Sequence, residues 1–184
     1  DVHALMITGS NMSGKSTLLR SIGVAAVLAQ AGAPVCAASL TMTPLRVRTS
    51  IRIDDSLRQG VSHFYAEVKR LKSIVDSVAA AGPPVLFLLD EVLHGTNSRE
   101  RVIGATAVVK HMVEASAIGA VSSHDLGLVQ LEALTGGAVR NVHFEDQIEE
   151  GAMKFDYTMK EGPVSTSNAL RLMRSAGIDI VPVS

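Results

Sequence analysis

The sequence of this 184-residue chain predicts a three-layer α/β domain, with helices on both faces of a mainly parallel sheet. Predicted strands and helices alternate along the chain, which is typical of this fold class. Residues 85–89 form the unbroken apolar run V-L-F-L-L, as expected for a central parallel strand that is buried on both faces. Hydrophobic residues make up 47% of the chain but aromatic residues only 3%. The core is therefore expected to consist of aliphatic side chains.

Length and composition narrow the class of protein further. Residues 1–184 fit a single domain, and the one cysteine, Cys36, excludes a disulfide framework and is expected in the core. The net charge of −1 gives no dominant electrostatic signal for nucleic acid. The apolar stretch 22–38 is interrupted and too short to span a membrane, so we expect a buried helix and no membrane contact. Because no export signal is visible, we expect a cytoplasmic protein. Asp1-Val-His leads straight into an apolar strand, so we expect a fragment of a longer protein.

The first half of the chain predicts three strands and two helices. Residues 3–8 form a short apolar strand, and residues 16–31 follow a glycine-rich turn as a helix. Residues 35–37 are a second short apolar run, whereas residues 46–53 alternate polar and apolar side chains like a strand with one wet face. Residues 62–80 repeat apolar side chains at helical spacing, which predicts an amphipathic helix.

The second half continues the alternation after the strand at residues 85–89. Asn97, followed three residues later by Glu100, resembles a capping box and predicts a helix over residues 97–115. Residues 152–160 alternate in the manner of an edge strand. The other predicted elements are strands at 118–122 and 138–144 and helices at 125–134 and 167–176.

The strongest chemical signal is the glycine-rich turn, G-S-N-M-S-G-K-S at residues 9–16. It matches the phosphate-binding pattern G-x-x-x-x-G-K-[ST] between a predicted strand and a predicted helix. Gly9 and Gly14 permit backbone angles that let successive N–H groups converge on phosphate oxygens. Lys15 would reach the β- and γ-phosphates of ATP, and the Ser16 hydroxyl would bind Mg²⁺. The pattern predicts a P-loop NTPase fold of the ABC and RecA-like kind; the alternative is a flexible glycine turn.

Two carboxylates follow the central apolar strand. Asp90 and Glu91 would stand at the carboxyl end of the sheet, where a nucleotide crevice is expected. Unpaired carboxylates at that position are costly without a cation or water. We assign Asp90 to Mg²⁺ and Glu91 to polarising the attacking water. The alternative is a helix cap or a surface ion pair.

Four stretches carry a family resemblance. They are residues 7–17 (I-T-G-S-N-M-S-G-K-S-T), residues 88–96 (L-L-D-E-V-L-H-G-T), Ser123-His124 and residues 141–143 (N-V-H). Together they resemble the ATPase domain of the MutS family of DNA mismatch-repair proteins. The resemblance implies an ATPase that dimerises around nucleotide and drives DNA-handling domains outside this chain.

The resemblance also implies roles for individual residues. Ser62 would contact the γ-phosphate held by the opposite subunit of a homodimer, His124 would sense the γ-phosphate, and His143 would lie against the adenine ring. The predicted catalytic residues are Glu91, His124 and Lys15. The predicted nucleotide-binding residues of the loop are Gly9, Ser10, Asn11, Met12, Ser13, Gly14, Lys15, Ser16 and Thr17. The remaining histidines are expected to be structural: His3, His63, His94 and His111.

The sequence departs from the usual family pattern in two places, which indicates a divergent member. Ser10 and Ser13 replace Pro and Gly in the loop, and Leu93-His94 replaces Gly-Arg after the carboxylate pair. Two other functions stay open. A nucleotide-gated dimerisation module would bind ATP with little turnover. An ABC-type ATPase of another system would share the fold, although the sequence holds no L-S-G-G-Q string.

Overall fold

The computed structural model of the chain describes residues 1–10, 12–51, 63–149 and 152–164. Its strands are β1 (Ala4–Thr8), β2 (Arg46–Ser50), β3 (Val85–Asp90), β4 (Ile118–Ser122), β5 (Val139–Glu149) and β6 (Ala152–Glu161). Its helices are α1 (Lys15–Gln30), α2 (His63–Ala79), α3 (Ser98–Glu114) and α4 (Leu131–Leu134). The apolar periodicity located most of these elements, and their ends agree with the prediction to within one residue in most cases.

All six strands form one sheet, in the order β2-β3-β4-β1-β5-β6. The strands β2, β3, β4, β1 and β5 pair in parallel, and β6 pairs antiparallel with β5 at the edge. The prediction of a mainly parallel sheet with a final edge strand is confirmed. In a parallel sheet the carboxyl ends of the strands share one edge, so β1, β3 and β4 deliver their following residues to the same crevice.

Two apolar cores lie on opposite faces of the sheet. Phe87 and Leu89 of β3 pack on one face with residues of α2 and α3. Leu86 and Leu88 pack on the other face with residues of α1. The alternation of side chains along a strand explains this division, since neighbouring residues point to opposite faces. The three-layer α/β fold is therefore confirmed, as in P-loop NTPases.

The segment after α1 was predicted incorrectly. Residues 35–37 form no strand, and Cys36 is exposed rather than part of the core. In the described sheet, no strand pairs with these three apolar residues. Their hydropathy alone therefore does not make them a strand. The predicted helix 125–134 is a 3-10 turn, Leu126–Gln130, followed by the short α4. The predicted helix 167–176 lies outside the described residues.

Helix α1 is only half buried, contrary to the expectation of a buried helix. Leu19 and Ala26 pack on the sheet, whereas Val24 and Val27 are 57% and 54% exposed. A helix that covers one face of a sheet needs only one buried stripe, and the apolar residues of the opposite side remain on the surface. Among the described residues, the structure contains no helix of the length and hydropathy that crossing a membrane requires.

Gly119 of β4 lies against β3 so closely that a side chain is excluded. A Cβ atom added there would stand 2.2 Å from the Phe87 carbonyl oxygen and 2.6 Å from Phe87 Cγ. Phe87 is fully buried, so neither the ring nor the backbone can move away. We expect Gly119→Ala to lower the free energy of unfolding by about 3 kcal/mol, as overpacking of a core does. Urea unfolding followed by circular dichroism measures this loss.

Gly23→Ala provides the matched control on helix α1. Its new Cβ would meet only the end of the Leu88 side chain, at 3.0 Å, and alanine favours a helix over glycine by about 1 kcal/mol. The two terms oppose each other, so this variant should unfold within about 1 kcal/mol of the original chain. Equal losses in both variants would contradict the close approach of β4 to β3.

Candidate functional site

The glycine-rich turn joins β1 to α1 and has the backbone angles that the sequence predicts. Gly9 has φ +143° and Gly14 has φ +104°, so both adopt conformations that favour glycine. A Cβ atom at Gly9 would also lie 2.7 Å from the Phe144 carbonyl oxygen. Met12 shares the left-handed region, with φ +74°. These angles curl the chain tightly before α1 begins at Lys15.

Lys15 is buried beneath this turn, with only 4% of its side chain exposed. Its Nζ donates hydrogen bonds to the carbonyl oxygens of Gly9 and Ser10, at 2.8 and 2.7 Å. The same Nζ lies 4.0 Å from Glu91 Oε1. Burial lowers the pKa of Lys15, and the nearby carboxylates of Glu91, Asp90 and Asp146 partly oppose this shift. The ammonium group is thus held in a largely desolvated position that favours an anionic neighbour.

Asp90 ends β3 and is 7% exposed. Its Oδ1 accepts a hydrogen bond from the Ser122 hydroxyl at the end of β4, the adjacent strand. The parallel register pairs Asp90 with Ser122, which brings the two strand ends together. One carboxylate oxygen is therefore fixed by the protein, and Asp90 has a second oxygen with which to bind a cation or water.

Glu91 follows directly and is oriented by three basic side chains. His124 Nδ1 lies 3.2 Å from Glu91 Oε1, on the same side as Lys15, and His94 Nδ1 lies 3.9 Å from Glu91 Oε2. The two imidazole rings meet edge to face, with centroids 5.9 Å apart. Glu91 has φ +47°, and such strain in a residue other than glycine is typical of functional sites.

Lys15 and Glu91 border a cavity of about 610 Å³, which is within the range of small-molecule sites. The turn, the first helical turns of α1, Glu91 and the β5–β6 hairpin contribute its walls. The lining residues are Met12, Gly14, Lys15, Ser16, Thr17, Leu18, Ser21, Glu91, Phe144 and Tyr157. The predicted residues Lys15, Ser16, Thr17 and Glu91 are therefore brought together around a space large enough for a nucleotide.

The N-terminus of α1 fits an anionic ligand. Gly14, its N-cap, supplies no side-chain hydrogen bond, and the first turn holds no acidic residue. The hydroxyls of Ser10 and Ser13 are buried and have no hydrogen-bond partner among the described residues. A helix of 16 residues with free N–H groups at its start, beside a buried lysine, has the donors and the dipole that bind phosphate.

Asp90 and Ser16 could bind magnesium only together with phosphate oxygens. No group of three or more histidine, cysteine or acidic residues in the described part of the chain has the arrangement of a metal site. Magnesium commonly binds to one or two protein groups and completes its shell with phosphate oxygens and water. Asp90 and Ser16 would supply those two groups, and the bound ion would neutralise charge on the β- and γ-phosphates.

His143 lies in β5 and does not line the cavity. It is 8% exposed, its Nδ1 lies 2.8 Å from the Gly162 carbonyl oxygen and its Nε2 lies 3.5 Å from Glu145 Oε1. Its register partner in β1 is Thr8, whereas the next residue, Phe144, packs on the α1 face and lines the cavity. Its contact with adenine stays a prediction. Asn11 and Ser62 lie outside the described residues.

Sequence reasoning missed three residues of the site. His94 is predicted to be structural, but it lies beside Glu91. The sequence clue to its position is that a histidine stands where the family usually has an arginine. Phe144 and Tyr157 line the cavity without any motif to mark them. The only sequence clue to them is that aromatic residues are rare in this chain, which has six in all.

Comparison with known proteins matches almost the whole chain to one family. The family described as MutS domain V matches residues 5–182. The chain is 36% identical over 178 residues to DNA mismatch repair protein MutS 2 of Haloarcula marismortui, covering 94% of this chain and 18% of that protein. It is 33% identical over 178 residues to DNA mismatch repair protein MutS of Aquifex pyrophilus, covering 94% of this chain and 20% of that protein.

The chain therefore spans about a fifth of the length of these relatives. The match covers nearly all of the chain, and a third of the matched residues are identical in named MutS proteins, so the similarity extends far beyond the glycine-rich turn. This chain belongs to the MutS family.

Proposed function

We propose that this chain is a Mg²⁺-dependent ATPase domain that dimerises around nucleotide and drives the DNA-handling parts of a mismatch-repair protein. One observation carries the proposal: the buried Lys15 ammonium lies 4.0 Å from Glu91, at the floor of a cavity of about 610 Å³ beside the α1 N-terminus. A cation that can bind phosphate and a carboxylate that can accept a proton from water then border the same cavity.

Each side chain has a definite task in this proposal. Lys15 and the N–H groups of the turn hold the β- and γ-phosphates, which places the γ-phosphorus near Glu91. Glu91 accepts a proton from water as the water oxygen bonds to phosphorus, and the bond to the bridging β-oxygen breaks. His124, 3.2 Å from Glu91, holds the carboxylate in position, and the family resemblance implies that it also contacts the γ-phosphate.

The names of the relatives support the proposed dimer and DNA partner. The relatives are named DNA mismatch repair proteins, and this chain corresponds to about a fifth of each. We propose that Ser62 completes the site of a second copy and that DNA is bound by other parts of the whole protein. The net charge of −1 supports the second point, because it offers little counterion release on DNA binding.

Phosphate release at increasing chain concentration, with ATP and Mg²⁺, tests the function. Because a partner's Ser62 would complete each site, the rate per chain should rise about tenfold or more between the monomeric and the dimeric range. Gel filtration with ATP at the same concentrations measures the state of assembly. Removing Mg²⁺ with a chelator should abolish the release of phosphate.

Three outcomes would count against the proposal. Full activity at dilutions where only monomer elutes contradicts completion of the site by a partner. Dimer formation with ATP but without phosphate release indicates a nucleotide-gated module rather than an ATPase. Failure to bind ATP at all would contradict the site itself.

A further inference from the structure

The turn that follows β3 has a strained backbone at two residues other than glycine. Glu91 has φ +47° and Leu93 has φ +60°, so both lie in the left-handed region. Such angles are uncommon for residues with a side chain and persist only where the surrounding structure holds them. The Glu91 N–H donates a hydrogen bond to the Ser122 carbonyl oxygen of β4 at 3.1 Å. Leu93 lies beyond this contact and needs an anchor of its own.

Helix α2 provides the anchor for Leu93. Glu67 Oε1 accepts a hydrogen bond from the Leu93 N–H at 2.6 Å. A carboxylate binds a backbone N–H more strongly than a neutral acceptor does. Leu93 is only 8% exposed, so water is poorly placed to replace Glu67. Glu67 Oε2 is buried and has no hydrogen-bond partner among the described residues, so the contact with Leu93 is the one that accounts for a carboxylate here.

Apolar contacts hold the same turn against α2 and α3. A Cβ atom on Gly95 would lie 3.0 Å from Phe64 Cβ in α2. A Cβ atom on Gly104 of α3 would lie 2.6 Å from Leu93 Cδ1. The turn is therefore in direct contact with both helices, and the hydrogen bond to Glu67 is its polar link to α2.

The backbone of this turn sets the direction of the Glu91 side chain. With the angles present, Glu91 Oε1 lies 3.2 Å from His124 Nδ1 and 4.0 Å from Lys15 Nζ. A right-handed φ at Glu91 or Leu93 would redirect the chain and move the carboxylate away from these partners. No residue of α2 in the described part of the chain lines the cavity. Glu67 therefore acts on the site through the turn and not through direct contact.

We propose that Glu67 is a positioning residue for Glu91, because it holds the Leu93 N–H and so keeps the Glu91 carboxylate directed at the attacking water. The inference rests on the proposed ATPase function and adds a requirement of the hydrolytic step that lies outside the cavity. The phosphate-binding groups do not depend on Glu67, since Lys15 is held by the carbonyl oxygens of Gly9 and Ser10. Loss of Glu67 should thus slow turnover and leave ATP affinity unchanged.

Glu67→Met tests this role, because methionine fills a similar volume but is only a weak hydrogen-bond acceptor. Phosphate release from Mg²⁺-ATP in a single turnover should slow about tenfold or more, the scale of one lost hydrogen bond to a charged group. ATP affinity measured by calorimetry should stay within about threefold. Glu67→Asp is a second variant, since it keeps the charge but is one methylene too short to reach the Leu93 N–H. Glu67→Gln keeps the acceptor oxygen and should recover most of the rate.

Hydrogen exchange of the Leu93 amide, measured by NMR, reports the hydrogen bond without any nucleotide. Exchange should quicken about tenfold in Glu67→Met and Glu67→Asp but not in Glu67→Gln. Asp76→Ala is the control on the same helix: its side chain is 58% exposed and pairs with Lys72, so neither rate nor affinity should change.

A double variant separates positioning from a general loss of structure. Glu67→Met combined with Glu91→Gln should release phosphate no more slowly than Glu91→Gln alone, because a residue that acts through Glu91 then has nothing left to position. General damage to the fold would instead slow the double variant further.

The outcomes distinguish this inference from the proposed function. An original rate in both Glu67→Met and Glu67→Asp overturns the positioning role, even if the Leu93 amide exchanges faster. Equal slowing in Glu67→Met and Glu67→Gln, or further slowing in the double variant, also overturns it. In each of these cases the original chain still hydrolyses ATP, so the proposed function stands. If the original chain binds no ATP or releases no phosphate, the proposed function fails and this inference fails with it.

Discussion

Replacing Glu91 with glutamine is expected to stop turnover while ATP stays bound. Glutamine has the same length and can still meet His124 and Lys15, but its amide cannot accept the proton that the attacking water loses. Loss of a general base lowers rates by a factor of roughly 10² to 10⁴. Phosphate release in a single turnover measures this step, and ATP affinity measured by calorimetry should change no more than about threefold.

Glu114→Gln is the matched control for that substitution. Glu114 ends α3, its side chain is 63% exposed, and it pairs at 3.7 Å with Lys110 of the same helix. An exposed pair of this kind contributes little, so neither binding nor turnover should change. A hydrolysis rate in Glu91→Gln equal to that of the control would show that another group takes the proton. His94 and His124 would then be the next candidates, since both face the Glu91 carboxylate.

The sequence predicted the elements whose signals are local. The apolar run of β3 and the glycine-rich turn can each be recognised from neighbouring residues. Burial on both faces requires a continuous apolar run, and positive φ angles favour glycine. Residues 35–37 are also apolar, but a strand must pair with another strand. The order of predicted strands and helices does not identify such a partner. The whole described sheet is needed to show that this segment pairs with none of its strands.

The same distinction separates the predicted from the missed parts of the site. Asp90 and Glu91 lie at the end of β3, and Lys15 follows the glycine-rich turn at the end of β1, so the shared carboxyl edge of a parallel sheet brings them together. His94 is brought to Glu91 by left-handed angles at Glu91 and Leu93, which sequence pattern does not report. Tyr157 reaches the loop only because β6 contains two extra residues relative to β5, a register that is visible only in the paired strands.

Lys15→Met is expected to separate binding from stability. The methionine side chain fills the same space but removes a charge that is almost fully buried. Burial lowers the pKa of Lys15, which means that the folded chain disfavours the protonated form. The substitution also removes the two hydrogen bonds to the Gly9 and Ser10 carbonyl oxygens and leaves Glu91 without this neighbouring charge. The relief of desolvation and the loss of these contacts oppose each other, so the free energy of unfolding should change by no more than about 1 kcal/mol. Urea unfolding without nucleotide measures this change.

ATP binding, by contrast, should weaken strongly. A lysine that forms two charge-assisted hydrogen bonds with phosphate contributes about 1.5–3 kcal/mol for each, and every 1.4 kcal/mol is tenfold in affinity. Lys15→Met should therefore weaken Mg²⁺-ATP binding by at least about 100-fold. Lys110→Met, on the exposed face of α3 with 48% of its side chain accessible, should leave both quantities unchanged. A chain that loses stability and affinity together would indicate that Lys15 supports the turn through Gly9 and Ser10, and that phosphate is bound elsewhere.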